Sequence, residues 1–246
     1  MSLPYGGPGL RLIEALRRAD GSAGRDLLLD GDVIDTTDSD VETIARLLGL
    51  LNATVMIGNS HPVVHAGAVA FRDAGVLMPG VSSAGKSTLT AGLVRAGFGY
   101  LSEEAVAFEP GSPEMLPYPR PFTISEAGLA LFPEIDLDAP GVVGPWEGDW
   151  FVPASVFRAG SVHGPATVRV VVFPRYDPTA RTELVPIGRA EAVRDLIANT
   201  IEYRDRMRML LDHYSAIIDG CECYRLTTND LAEAVDAVRG LVGAPA

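Results

Sequence analysis

Twenty side chains of this sequence are lysine or arginine, and only one of them is lysine. That residue, Lys86, lies in the run Gly80-Val-Ser-Ser-Ala-Gly-Lys-Ser-Thr88. The spacing G-x-x-x-x-G-K-[ST] is that of a phosphate-binding loop, in which successive backbone N–H groups curl around a polyphosphate and the lysine reaches its outer phosphates. Gly80, Ser82, Ser83, Ala84, Gly85, Lys86, Ser87 and Thr88 are the expected cradle, and Ser87 is placed to ligate magnesium. A compact ammonium on a flexible stem fits inside such a loop, whereas a planar guanidinium does not. The competing reading is a chance motif in a glycine-rich chain. Codon usage accounts for the abundance of arginine, but not for where the single exception falls.

A transfer reaction needs more than a phosphate cradle: a carboxylate to position magnesium and a base to accept a proton from the attacking hydroxyl. Glu103 and Glu104, after the apolar run that follows the loop, are the leading candidates, and Asp177 is the weaker alternative. Neighbouring carboxylates repel, so one can take up a proton while the other stays ionised. Adjacent strand residues point to opposite faces, so both acids reach one site only where the strand ends or bulges; two ordinary surface acids are the alternative. His65, in the apolar run 63–71, is either a satisfied core histidine or a partner that orients one acid. Arg120, fixed between Pro119 and Pro121, either steadies a transferring phosphoryl group or makes a structural salt bridge. Arg175 is a weaker candidate for the same task.

These groups require a strand before the loop and a helix after it. The run 75–78 suits a buried strand, and residues 87–96 read as a helix with Gly97 at C′. The helix start directs free N–H groups and the positive end of its dipole at the loop. Residues 63–71 read as a strand turning at Arg72-Asp73 into the next, a hairpin rather than a crossover. Further strands are expected at 25–30, 98–101, 105–108, 167–173 and 223–227. Further helices are expected at 40–57, 189–200, 204–217 and 230–242. Ser39 with Glu42 forms a capping box for the first of these, and Thr228 and Asn229 are candidate N-caps for the last. Half of the eighteen prolines and both tryptophans, Trp146 and Trp150, fall between 110 and 153. That stretch reads as an ordered, loop-rich cover, in which the tryptophans pack or grip a peptide. The organisation expected is a single domain over 1–246, with an N-terminal module at 1–59 packed on it and the cover at 110–153.

Composition narrows the function classes. A 47% apolar chain of 246 residues can bury a substantial core, and no apolar run approaches the roughly 18–20 residues that span a bilayer. No secretory signal is visible, so a cytoplasmic protein with no membrane partner is expected. The net charge of −12 argues against a nucleic-acid partner. The one dense basic cluster, Arg204, Arg206 and Arg208, is interleaved with Glu202, Asp205 and Asp212 and reads as a solvated face. Cys221 and Cys223 read as free thiols.

The run 64–70 with its histidine, the loop with its preceding strand at 76–88, and the run 93–107 ending in Glu-Glu-Ala-Val-Ala together resemble the catalytic domain of HPr serine kinase/phosphorylase. The likeness is greatest to shorter HPr-kinase-like proteins, some of which accompany peptide-modifying gene clusters such as those for lasso peptides. It covers about 62–108 and extends loosely through 119–121, 171–176 and 224–231. The resemblance implies an α/β fold of the HPr-kinase/PEP-carboxykinase-like type, a mixed sheet flanked by helices. It also implies that His65 supports the catalytic acid, that Lys86 and Ser87 hold ATP and Mg2+, and that Glu103 and Glu104 take the roles of the family's acidic pair. Ser87 with Glu104 is the working metal pair, although the residues leave open which acid holds metal and which accepts the proton. The first acid is glutamate where that family usually has aspartate, and the glycine-rich signature associated with the reverse reaction is not visible. Phosphorylase activity is therefore not expected.

The expectation is an ATP- and Mg2+-dependent kinase acting on a hydroxyl, foremost a serine of a peptide or small protein. ATP versus GTP, and association with a second copy of the chain, are left open. The alternatives are a nucleotide-binding regulatory module that has lost transfer and a kinase of a small-metabolite hydroxyl.

Overall fold

A computed structural model describes residues 12–18, 21–22, 24–56, 61–201 and 206–243. It opens with a three-stranded antiparallel meander, β1 (Ile13–Arg17), β2 (Arg25–Leu29) and β3 (Asp32–Thr37), followed by α1 (Asp40–Met56). The Ser39 hydroxyl accepts the Glu42 N–H at 3.1 Å, and the Glu42 carboxylate accepts the Asp38 N–H at 2.9 Å. This box closes one residue earlier than the usual one on its return arm. Sequence alone indicates only the middle strand of the meander, because β3 is exposed at four of its six residues, β1 is half-buried at best, and neither shows the alternation of one buried face. The boundary expected at 59 lies outside the described residues, as do Glu202, Arg204 and Asp205.

The hairpin is present: β4 (Val63–Phe71) and β5 (Ala74–Pro79) pair antiparallel, with Arg72 at the turn in a left-handed conformation, φ 54. Next come α2 (Lys86–Arg95), β6 (Gly99–Ser102), β7 (Ala105–Phe108) and β8 (Glu114–Leu116). The proline-rich stretch then holds only short pieces, β9 (Phe122–Ser125), α3 (Glu126–Leu129), β10 (Val143–Trp146) and β11 (Asp149–Val152). After α4 (Ala154–Phe157) the chain runs through β12 (Ala166–Tyr176), β13 (Glu183–Pro186), α5 (Arg189–Ala198), α6 (Met207–Asp219), β14 (Glu222–Thr228) and α7 (Leu231–Leu241).

The large sheet has the order β13-β14-β12-β5-β4-β7-β8, with β6 also on β4, and it is mixed. β5, β12 and β14 are mutually parallel, and the other pairings are antiparallel. β8 also bonds the start of β12, so the strands between them close into a ring. Both faces are covered, which is why these strands read as almost unbroken apolar runs. Val64, Ala66, Ala68, Leu77 and Phe173 face one core with α5 and α6, while Val69, Val76, Met78 and Val172 face another with α2 and α7. A register shift between Val168 and Val170 puts Val168 and Val171 on the same face.

Two details differ from the sequence reading. The N-cap of α7 is Asp230, whose carboxylate accepts the Glu233 N–H at 2.9 Å; Thr228 instead bonds Asp230. The edge strand β13 carries no apolar alternation strong enough to announce it. The cysteines are free, and burial pushes the Cys221 thiol to about 12 and that of Cys223 to about 11. Trp150 packs on the α2 side of the core, and Trp146 lies under the Arg46 guanidinium at 5.7 Å. No helix among the described residues is long and apolar enough to cross a membrane.

Candidate functional site

β5 ends in Pro79, and the chain turns through 80–85 into α2. The turn requires left-handed backbone at Ser83, φ 64, and Gly85, φ 89, and glycine adopts that conformation at little cost. Gly80 leaves room for its neighbours, since a Cβ there would stand 3.2 Å from Ala84 and 3.5 Å from the stem of Lys86. Gly85 is the N-cap of the ten-residue α2 and supplies no side-chain cap. The helix therefore presents its first N–H groups and dipole to whatever lies over the loop. Lys86 is 6% exposed and folds back across the loop, donating from Nζ to the Val81 carbonyl at 2.8 Å. Burial draws its pKa below the usual lysine value, opposed by Glu104 and then Glu103.

The acids are brought to this loop by β4. β6 and β7 lie end to end along its second edge, with Ala68 opposite Ser102 and His65 opposite Ala105. Between them the chain bends at Glu103-Glu104. Ser102 closes the bend, its hydroxyl donating to the Ala105 carbonyl at 2.7 Å and accepting the N–H groups of Glu104 and Ala105 at 3.3 Å. A break at the acids is what the sequence demands if both are to reach one site, and the register shift beside it falls between Ser102 and Tyr100.

Glu103 is 1% exposed. Its Oε2 accepts the Ser87 hydroxyl at 2.6 Å, while its Oε1 accepts the Thr123 N–H at 3.3 Å and lies 3.1 Å from Arg120 Nη2. Burial raises its pKa, opposed first by Arg120 and then by Ser87. Glu104 is 28% exposed, with Oε2 3.7 Å from Arg120 Nη1 and Oε1 3.4 Å from His65 Nδ1. His65 Nδ1 also lies 2.9 Å from the Glu104 carbonyl, so the histidine grips this residue by backbone and carboxylate together. Burial, then Lys86, lowers the His65 pKa, favouring a neutral ring.

Arg120 bridges the two acids. Its main chain is fixed by flanking prolines and by the Tyr100 hydroxyl, which donates to the Arg120 carbonyl at 2.9 Å from a wholly buried ring. The guanidinium also donates to the Thr123 hydroxyl and, at 3.2 Å, to the Pro121 carbonyl.

His65, Lys86, Ser87, Glu103, Glu104 and Arg120 are thus one cluster. No family model matches this chain, and no curated protein does. Among solved structures, one titled Hpr(Ser) kinase/phosphatase from Coxiella burnetii aligns with 73% of this chain and 95% of that chain, at 12% identity and a TM-score of 0.35. A likeness that weak carries no argument, so the site stands on its own geometry.

The remaining candidates stand outside this cluster, on either side of Tyr176 at the end of β12. Asp177 caps a turn by accepting from the Thr179 N–H and hydroxyl at 3.0 and 2.8 Å. Arg175 is exposed and sits 3.8 Å from Asp177. Thr123 and Ser102 escaped the sequence reading. Ser102 carried a usable signal, a hydroxyl directly before an acidic pair at a strand end, whereas Thr123 reaches the site only through tertiary packing.

The cluster can be tested for fit to a magnesium nucleotide. Among the described residues no three His, Cys, Asp or Glu side chains could hold a metal by themselves. Ser87 and Glu103 offer two adjoining oxygens, which suits Mg2+, an ion that takes few protein ligands and completes its shell with phosphate and water. The uncapped α2 start, Lys86 and this oxygen pair together fit the group.

Proposed function

We propose that this chain is a nucleoside-triphosphate- and Mg2+-dependent phosphotransferase acting on a hydroxyl, with a serine of a peptide or small protein as the foremost acceptor. The observation that carries the reading is the 2.6 Å contact between the loop serine, Ser87, and the buried acid Glu103. It supports the reading because a buried carboxylate stands beside the lysine-bearing loop that would hold the phosphates.

Residues 80–88 would hold the phosphates, with Lys86 leaving the Val81 carbonyl to neutralise their charge. Ser87 and Glu103 would hold the metal, so of the two acids it is Glu103 rather than Glu104 that pairs with Ser87. When bound, the ion would supply charge neutralisation at the phosphate oxygens. Glu104, the more accessible acid, would accept the hydroxyl proton while neutral His65 fixes its orientation. Arg120 opposes the burial that raises the Glu103 pKa and lies where it can offset negative charge on the transferred group.

Incubation with γ-labelled ATP or GTP, Mg2+ and serine-containing peptides tests this reading. Label on a serine that disappears in Lys86→Ala is expected. Tight nucleotide binding with no transfer to any hydroxyl would remove the kinase reading. It would favour a binding module instead, for which the full engagement of Glu103 by Ser87, Thr123 and Arg120 is the motivating observation.

A further inference from the structure

The phosphate loop has two sides. β5, which feeds it, pairs on one side with β4, beyond which stand the acids, and on the other with β12, beyond which lies β14. Because β5, β12 and β14 are parallel, all three leave the sheet at the same edge, the edge that carries the loop. The acids and Arg120 occupy the β4 side, where the outermost phosphate must be to react. The nucleoside at the other end of the phosphate chain then lies toward β12 and β14.

At that position β12 ends in Tyr176. Its N–H donates to the Ala84 carbonyl at 3.2 Å, and a Cβ on Gly85 would stand 3.6 Å from the Tyr176 Cβ. The ring therefore springs from the wall of the loop, immediately beside the start of α2. It is nevertheless 55% exposed, whereas Tyr100 and Tyr214 are wholly buried. Across the ladder Tyr176 faces Thr228, which is followed by the exposed Asn229. A large flat ring rooted in the loop and mostly in solvent does little for the core, but it offers a free π face.

We propose that Tyr176 is the platform on which the base of the bound nucleoside triphosphate stacks, with Thr228 and Asn229 as the adjoining wall. This rests on the phosphate-loop reading above. Every base has a π face, so the platform accepts adenine and guanine alike.

Titration calorimetry of the full chain with ATP, GTP and inorganic tripolyphosphate, each with Mg2+, tests it in Tyr176→Phe, Tyr176→Leu and Tyr176→Ala. The Leu and Ala variants are expected to weaken both nucleotides about tenfold while leaving tripolyphosphate within about twofold, and the Phe variant to bind all three normally. Unchanged nucleotide affinity in the Leu and Ala variants, or a parallel fall for tripolyphosphate, would overturn the platform. So would an unsubstituted protein that holds tripolyphosphate as tightly as ATP, with the phosphate loop itself left standing. If the unsubstituted protein binds none of the three, the loop reading fails and the platform with it.

Discussion

The Ser87 hydroxyl donates a 2.6 Å hydrogen bond to Oε2 of Glu103, a carboxylate 1% exposed to solvent. Sixteen residues separate the two in sequence, and they meet because α2 turns the chain back so that β6 lies along β4. The bond joins the end of the 80–88 loop to the acid that, on the proposed reading, a metal would share with it. Ser87→Ala should therefore abolish the Mg2+ dependence of nucleotide binding and leave the Mg2+-free affinity unchanged. Calorimetry with and without the ion checks this, and an unaltered Mg2+ effect would count against Ser87 as a ligand.

Arg120 and Glu103 are 8% and 1% exposed and 3.1 Å apart. Removing one member of such a pair leaves the other charge buried and uncompensated, at a cost of about 3–5 kcal/mol. Arg120→Ala is expected to lose stability on that scale in urea unfolding, with loss of transfer. Arg120→Lys should recover little, because an ammonium cannot reach both acids and Thr123 in one plane. A loss below about 1 kcal/mol would mean that water reaches the pair and that the bridge is a weak surface contact.

What the sequence made legible follows from which interactions are local. The hairpin of β4 and β5, the loop and α2 are encoded by short-range patterns, a turn, a motif and a helix that stops at a glycine, and they stand within a residue or two of where the sequence puts them. The meeting of Glu103 with Ser87 and of Glu104 with His65 could be expected only as a condition, that the strand break at the acids; the bend depends on Ser102 turning its hydroxyl to the backbone. Arg120 was legible as a constrained cation but not as a bridge, since its partners depend on how the proline-rich stretch folds back. Thr123 and Tyr100, which fix Arg120, act through contacts no local pattern encodes. The exposed strands β3 and β13 lack the alternation that burial imposes, and so give no signal.

Burial moves two site groups in opposite directions. Glu103 has a raised pKa, so on acidification it takes up its proton at a higher pH than an ordinary glutamate, and metal-dependent binding should fail before the usual carboxylate range near 4.5. Lys86 has a lowered pKa, so as pH rises it loses its charge below the usual 10.5, and phosphate affinity should fall early on that side. Nucleotide affinity against pH should therefore be narrower than ordinary Glu and Lys values would give. Lys86→Arg should lose affinity at every pH because its planar head does not fit the loop. An alkaline limb at or above 10.5 in the unsubstituted protein would show that Lys86 is well solvated.

The two acids can be separated by what each loses. Glu103→Gln removes the charge beside Ser87 and should weaken Mg2+-nucleotide binding, raising KM. Glu104→Gln keeps the bulk of the more exposed acid and can still accept from Arg120, so nucleotide binding should persist. Its amide cannot take a proton, and kcat should fall by about 10²–10⁴-fold, the range of general-base catalysis. His65→Ala removes the ring that holds Glu104 at 3.4 Å without removing the base. It should lower kcat less than Glu104→Gln does and leave KM for the nucleotide unchanged. If Glu104→Gln transfers phosphate normally while Glu103→Gln binds nucleotide normally but is inactive, the roles are reversed: the buried acid is then the base, and Ser87 serves to orient it.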